Sequence, residues 1–300
     1  MQHIRNYRWN RLTELTRLGV MDEILHYTAF TSDPSGGNPA GVVLDAQNLS
    51  DEERQDLASQ IGYSETAFLE SGPIAGTYRV RFFSPLAEVA FCGHATIATA
   101  VALAHRSGVA DVVFETLAGP IPVSTQAVDG VVRATLTSTE TWSRPASAWQ
   151  IQYVLDALGW SAEDLSTEFP PHEAFGGETH LVLVTASRRR LTDVEYDFDA
   201  LKAIMQDYRW TTVQLVWFEN EHLAHSRNLF PVGGVVEDPA TGAAAAALGG
   251  YLRSLGRVHG RCELTILQGE DMGRPSRLDV VAHADSKRVT VAGSAVPITH

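Results

Sequence analysis

The sequence is poor in cysteine, with only Cys92 and Cys262 among 300 residues. That excludes a disulfide framework and any zinc site built on paired CxxC spacing, and it suits a reducing, cytoplasmic setting. Basic residues are in deficit too: 23 Lys and Arg face 36 Asp and Glu, for a formal net charge of −13. A surface of that sign supplies no footprint for nucleic acid or an anionic membrane. The longest small-apolar run, around residues 242–248, falls far short of the roughly 20 residues that span a bilayer. Phosphate-loop and dinucleotide signatures are missing, because "GGNPAG" has neither the lysine nor the glycine spacing they require. Ser64 and Ser84 lack the surroundings of a nucleophile elbow.

What is present is an ordinary globular composition, 44% hydrophobic and 20% charged, long enough for two domains or one large one. Residues 1–20 are arginine-rich and poor in acid but lack the apolar core of a secretory signal. They read as an N-terminal extension ahead of Met21, with a targeting or docking helix as the alternative. Beyond it, "YRVRFF", "DVVFET", "HLVLV", "TVQLVWF", "LDVVAH" and "GRCELTIL" read as strands among a few helices, which predicts an α+β fold. "LSDEERQDLASQIG" predicts a surface helix with Ser50 as N-cap and Gly62 as stop. Residues 139–150, "TETWSRPASAWQ", carry Pro145 and show neither period, so a boundary is placed there between domains 21–140 and 141–300.

A diverged internal repeat says more. "RFFSPLAEVAFCGHATIATAVAL" from Arg81 resembles "RNLFPVGGVVEDPATGAAAAALGGYL" from Arg227. With Pro85 set against Pro231, Cys92 and Asp238 share an offset, and each copy runs on into a segment of small residues. Such segments suit helices packed from several sides, where bulky side chains would hold the backbones apart. First-turn amides of a helix have no intrahelical acceptor and attract anions. Two such ends facing one cleft would bring Cys92, Gly93 and His94 toward Asp238 and Gly242, a geometry suited to a small carboxylate. Simpler roles stay open: Asp238 as an N-cap, His94 as a structural histidine, Asn38 as a turn residue. Glu65, in "GYSETAFLE", is either a solvated loop acid or a partly buried carboxyl able to relay protons.

Taken in order, "GGNPAGVVL", "YSETAF", "RFFSPLAEVAFCGHATIATA", "GGVVEDPATGAA" and "QGEDMGRPS" resemble the phenazine-biosynthesis PhzF-like family from about Met21 onward. The resemblance implies two pseudo-symmetric domains with the diaminopimelate epimerase-like architecture, each a curved, barrel-like, mostly antiparallel sheet around a central helix. It leaves room for the C-terminal strand to complete the first domain. It further implies an isomerase with no metal or organic cofactor, a site between the domains, and a homodimer acting on a small carboxylate metabolite. By that resemblance Glu65 is the acid/base residue, with His94 and Asp238 as companions. Asn38, Gly93, Gly242 and Ala243 line the substrate. Ala243 departs from the pattern, since the family commonly has serine after "EDPATG". The wider fold also contains two-thiol amino-acid epimerases, and a non-catalytic metabolite-binding protein is a third reading.

Overall fold

The computed structural model describes residues 24–299, so the expectation for residues 1–20 lies outside the described residues. The first half of the chain supplies β1 (Ile24–Ala29), β2 (Asn38–Val43), helix α1 (Asp51–Ile61), β3 (Glu65–Ser71), β4 (Thr77–Phe83), β5 (Glu88–Val89), helix α2 (Gly93–Ser107), β6 (Asp111–Thr116), β7 (Gly119–Val128) and β8 (Val131–Thr137). The second supplies β9 (Trp142–Pro145), α3 (Ala148–Leu158), β10 (His172–Phe175), β11 (Thr179–Val184), α4 (Arg188–Thr192), α5 (Phe198–Tyr208), β12 (Thr212–Asn220), β13 (Leu223–Leu229), β14 (Glu237–Asp238), α6 (Gly242–Ser254), β15 (Arg261–Gln268), β16 (Ser276–His283) and β17 (Val289–Pro297).

Local chemistry accounts for several of these elements. Ser50 and Glu53 form a capping box at the start of α1, and Gly62 ends it at φ +72°, a left-handed conformation that glycine adopts without steric cost. The predicted strands all form. The stretch at 139–150 is more regular than its pattern suggests: Trp142–Pro145 pairs with β10, and Ser147 caps α3. Four residues are too few to display strand alternation, so pairing rather than pattern makes this strand.

In the first half, β1, β2, β3, β4, β6, β7, β8 and β17 pair in that order, and β17 returns to β1 to close an eight-stranded barrel. All of these pairings are antiparallel except β2–β3 and β4–β6. The second half repeats the plan as β9, β10, β11, β12, β13, β15, β16 and β17, with β11–β12 and β13–β15 parallel. Its ring is joined by the amides of Ser138 and Thr141, which donate to the carbonyls of Val289 and Lys287. The halves therefore trade strands. The start of β17 pairs with β16, whereas its end pairs with β1.

Each ring encloses one helix. Every residue of α2 from Gly93 to Ala104 is buried, as is every residue of α6 from Gly242 to Leu252. Glycine and alanine let the strands close on these helices. At Gly176, between β10 and β11, an added Cβ would stand 2.4 Å from the Ala243 carbonyl oxygen and 2.5 Å from the Ala247 nitrogen. At Gly249, within α6, it would meet only the methyl groups of Val289 and Val280, the nearest at 2.9 Å. A valine side chain can shift by the few tenths of an ångström needed, and a helix backbone cannot. Gly176→Ala is therefore expected to cost about 2–3 kcal/mol in denaturant unfolding, and Gly249→Ala clearly less; equal costs would contradict this packing.

Candidate active site

The two enclosed helices meet end to end. A Cβ on Gly93 would lie 3.0 Å from the Gly242 Cα, and one on Gly242 would lie 3.2 Å from the Gly93 Cα. Both are the first residues of their helices, so two partially positive N-termini converge between the halves. The glycines' missing side chains serve this contact, and Ala243, 7% exposed, comes next on the second helix.

Around the junction the chain gathers polar groups from distant segments. Asn38, the first residue of β2, is buried; its Nδ2 donates to Asp238 Oδ1 at 2.8 Å and to the Ala240 carbonyl at 3.1 Å, and lies 3.1 Å from His94 Nδ1. His94 Nε2 lies 3.3 Å from Ser64 Oγ and 3.5 Å from Glu65 Oε2. The Cys92 thiol donates to Glu65 Oε2 at 3.4 Å, with His94 Nδ1 at 3.3 Å from its sulfur. Asp238 is held from its other side by the Thr241 hydroxyl, which donates to Oδ2 at 2.5 Å, and by Gln268 Nε2, which donates to the Asp238 carbonyl at 2.7 Å. Glu65, His94, Asp238 and Asn38 thus stand together, and Cys92 joins them.

Burial dominates the electrostatics. Removal from water pushes the Asp238 carboxyl up to about 7, and the nearby Glu65 charge adds to the rise against the hydrogen bonds from Thr241 and Asn38. Burial lowers the His94 pKa, opposed by Glu65, so the ring is neutral at pH 7. The Cys92 thiol is pushed well up, first by burial and then by Glu65. The Glu65 side chain remains 14% exposed and is the most open carboxyl of the cluster.

The structure corrects the repeat alignment. β5 and β14 are equivalent two-residue strands: Glu88 pairs with Phe83 on β4, and Glu237 with Leu229 on β13. Each glutamate holds the matching arginine, Arg81 Nε to Glu88 at 2.7 Å and Arg227 Nη2 to Glu237 at 2.7 Å. Glu237 lies six residues after Pro231 but Glu88 only three after Pro85, so aligning the prolines puts all later residues out of step. In space Asp238 matches Val89, and the counterpart of Cys92 is Thr241; both of these last residues are N-caps. Sequence reading missed three contributors. Ser64 and Gln268 lie inside "YSETAF" and "QGEDMGRPS", but nothing in either pattern tells their contacts apart from those of loop residues, and Thr241 was hidden by the shifted alignment. Arg274 donates to the carbonyls of Gly36 and Gly37, both at 2.7 Å, and so fastens the loop ahead of Asn38.

The phenazine biosynthesis-like protein family (PhzC-PhzF) matches residues 27–300. The chain belongs to this family. It is 32% identical over 267 residues to a trans-2,3-dihydro-3-hydroxyanthranilate isomerase of Pseudomonas aeruginosa, covering 87% of this chain and 91% of that protein. It is 30% identical over 283 residues to the uncharacterized isomerase YfhB of Bacillus subtilis, covering 91% and 96%. A Bacillus anthracis phenazine biosynthesis protein of the PhzF family superposes with a TM-score of 0.82 at 26% identity, covering 92% of this chain and 96% of that one. A probable proline racemase from Agrobacterium radiobacter shares the fold, with a TM-score of 0.63 at 11% identity. The PhzF-family chain is accordingly an enzyme of the isomerase class with a two-domain α+β fold. Among the described residues no helix is long and apolar enough to cross a membrane.

Asp238 provides a thermodynamic test. Its folded pKa is raised above the unfolded value near 3.8, so between that pH and about 7 the folded state binds the extra proton. Stability falls as pH rises through this window and levels off above it. Compared with Asp238→Asn, the wild-type chain should lose unfolding free energy, measured by denaturant titration, from pH 5 to pH 8, by up to a few kcal/mol; a pH-independent difference would show that Asp238 ionises normally.

Proposed function

We infer that this PhzF-family enzyme is a cofactor-independent isomerase that moves a proton on a small, cyclic amino or hydroxy carboxylate, with Glu65 as acid and base. The observation that carries the reading is the position of Glu65, the most open carboxyl of the cluster, beside two converging helix N-termini. The substrate carboxylate lies against the amides near Gly93 and Gly242, whose partial positive charge also stabilises negative charge developing during proton removal. Glu65 takes the proton from carbon and returns it elsewhere along the conjugated system. Neutral His94 orients the substrate's polar groups and passes protons with Glu65. Asp238, titrating near neutrality, anchors the amino or hydroxyl group with Asn38 behind it.

The trans-2,3-dihydro-3-hydroxyanthranilate named for the Pseudomonas relative belongs to this substrate class. Ala243 has no hydroxyl, so the substrate of this chain differs from the phenazine precursor at the group that a serine there would hold. A two-thiol epimerase is disfavoured, since the residue opposed to Cys92 is Thr241, whose hydroxyl is a poor base and is already bonded to Asp238. The family resemblance also supports a cytoplasmic homodimer.

The test is exchange of carbon-bound hydrogen in heavy water, monitored by NMR across a panel of cyclic amino and hydroxy carboxylates. Wild-type enzyme is expected to exchange and isomerise at least one of them, and Glu65→Gln to slow that reaction about 10²- to 10⁴-fold while still binding the compound. Undiminished exchange in Glu65→Gln would remove Glu65 from the acid/base role.

A further inference from the structure

We propose that Cys92, His94 and Glu65 form a high-affinity site for a thiophilic divalent cation of the zinc class, and that the bound ion switches the enzyme off. The three ligand atoms lie within 4.8 Å of one another. Cys92 Sγ is 3.4 Å from Glu65 Oε2, Glu65 Oε2 is 3.5 Å from His94 Nε2, and Cys92 Sγ is 3.9 Å from His94 Nε2. Donors on a tetrahedral zinc, bound through sulfur, nitrogen and oxygen at ordinary lengths, stand about 3.3–3.7 Å apart. Only the sulfur–nitrogen edge has to tighten, and by little.

The chemistry of the donor set agrees. Thiolate and imidazole together select zinc over magnesium or calcium, which prefer oxygen. A neutral imidazole carries its N–H on one ring nitrogen and keeps a lone pair on the other. Asn38 already has Asp238 and Ala240 as acceptors for its two amide hydrogens, so nothing obliges Nδ1 to accept. With the proton on Nδ1, the Nε2 lone pair faces Glu65.

Charge is balanced as well. On binding, the Cys92 S–H bond breaks, a sulfur–metal bond forms and the proton leaves to solvent; no electrons change hands. One thiolate and one carboxylate then balance the divalent ion, so the occupied site carries no net charge. The fourth position is left for water. The converging helix ends oppose a cation, and the two anionic ligands bonded directly to the ion offset them.

Binding occupies the Glu65 oxygen that the isomerase reading uses for proton transfer, and only the switching consequence rests on that reading. The test therefore has two separate readouts. Cobalt(II), a spectroscopic stand-in for zinc, is titrated into the full chain without substrate. One ion per chain should bind, with a thiolate-to-cobalt charge-transfer band and ligand-field absorption of the tetrahedral type, and one equivalent of zinc should displace it. The band should vanish in Cys92→Ala and persist in Cys262→Ser; His94→Gln and Glu65→Gln should each weaken binding about 10- to 100-fold or more. Should Cys92→Ala fail to fold, Cys92→Ser gives the same comparison. No thiolate band in the wild type, or a band that survives at Cys92→Ala, overturns the site. On any compound that exchanges in heavy water, stoichiometric zinc should stop turnover and a chelator restore it; turnover at saturating zinc overturns the switch. A metal band with no exchanging compound leaves the site standing and counts against the isomerase reading alone.

Discussion

The contact on which this structure depends is the meeting of two helix N-termini at Gly93 and Gly242. Peptide dipoles point the same way in each helix, so bringing two such ends within a few ångströms of each other collects partial positive charge in one buried place. Backbones can come this close only without side chains, and either missing Cβ would press on the opposite glycine. Buried partial charge needs an opposite partner. The chain provides carboxyls in Asp238 and Glu65 and sends Asn38 between the halves to hold Asp238 in place. Enclosed helices rich in alanine, and rings of strands closed around them, are what keep the two ends in register.

Shared strands reinforce the arrangement. Because β17 serves the second ring at its start and the first ring at its end, neither ring is complete without the other half of the chain. The helix ends are therefore positioned by covalent continuity as well as by packing. Arg274, bonded to carbonyls more than 200 residues earlier, adds a further tie between the halves.

The halves are built alike but are not chemically alike. Glu65 opens β3, and the strand in the equivalent place, β12, opens with Thr212, sealed between His180 Nδ1 and Asn228 Oδ1 at 2.8 Å each. Asp238 stands near the helix junction in the position where the first half has Val89. One half thus presents the open carboxyl and the thiol, and the other a buried carboxyl titrating near 7. A single asymmetric site results from a symmetric frame, as one-sided proton transfer on a small ligand requires.

Much of this was legible in the residues themselves. Periodicity marked the longer strands, Ser50 and Gly62 bounded α1, and runs of alanine and glycine announced two enclosed helices, because each of these signals is local and reflects backbone propensity or packing volume. The ordered motifs pointed to the family and to Glu65, His94 and Asp238. What linear spacing could not show is which residues meet. Pairing across the sheet, rather than offset from a proline, sets Thr241 opposite Cys92. Ser64 and Gln268 gain their contacts only when segments far apart in the chain are folded together. The raised pKa of Asp238 and the grouping of Cys92, His94 and Glu65 arise from burial and approach, which depend on the whole fold and on no stretch of sequence alone.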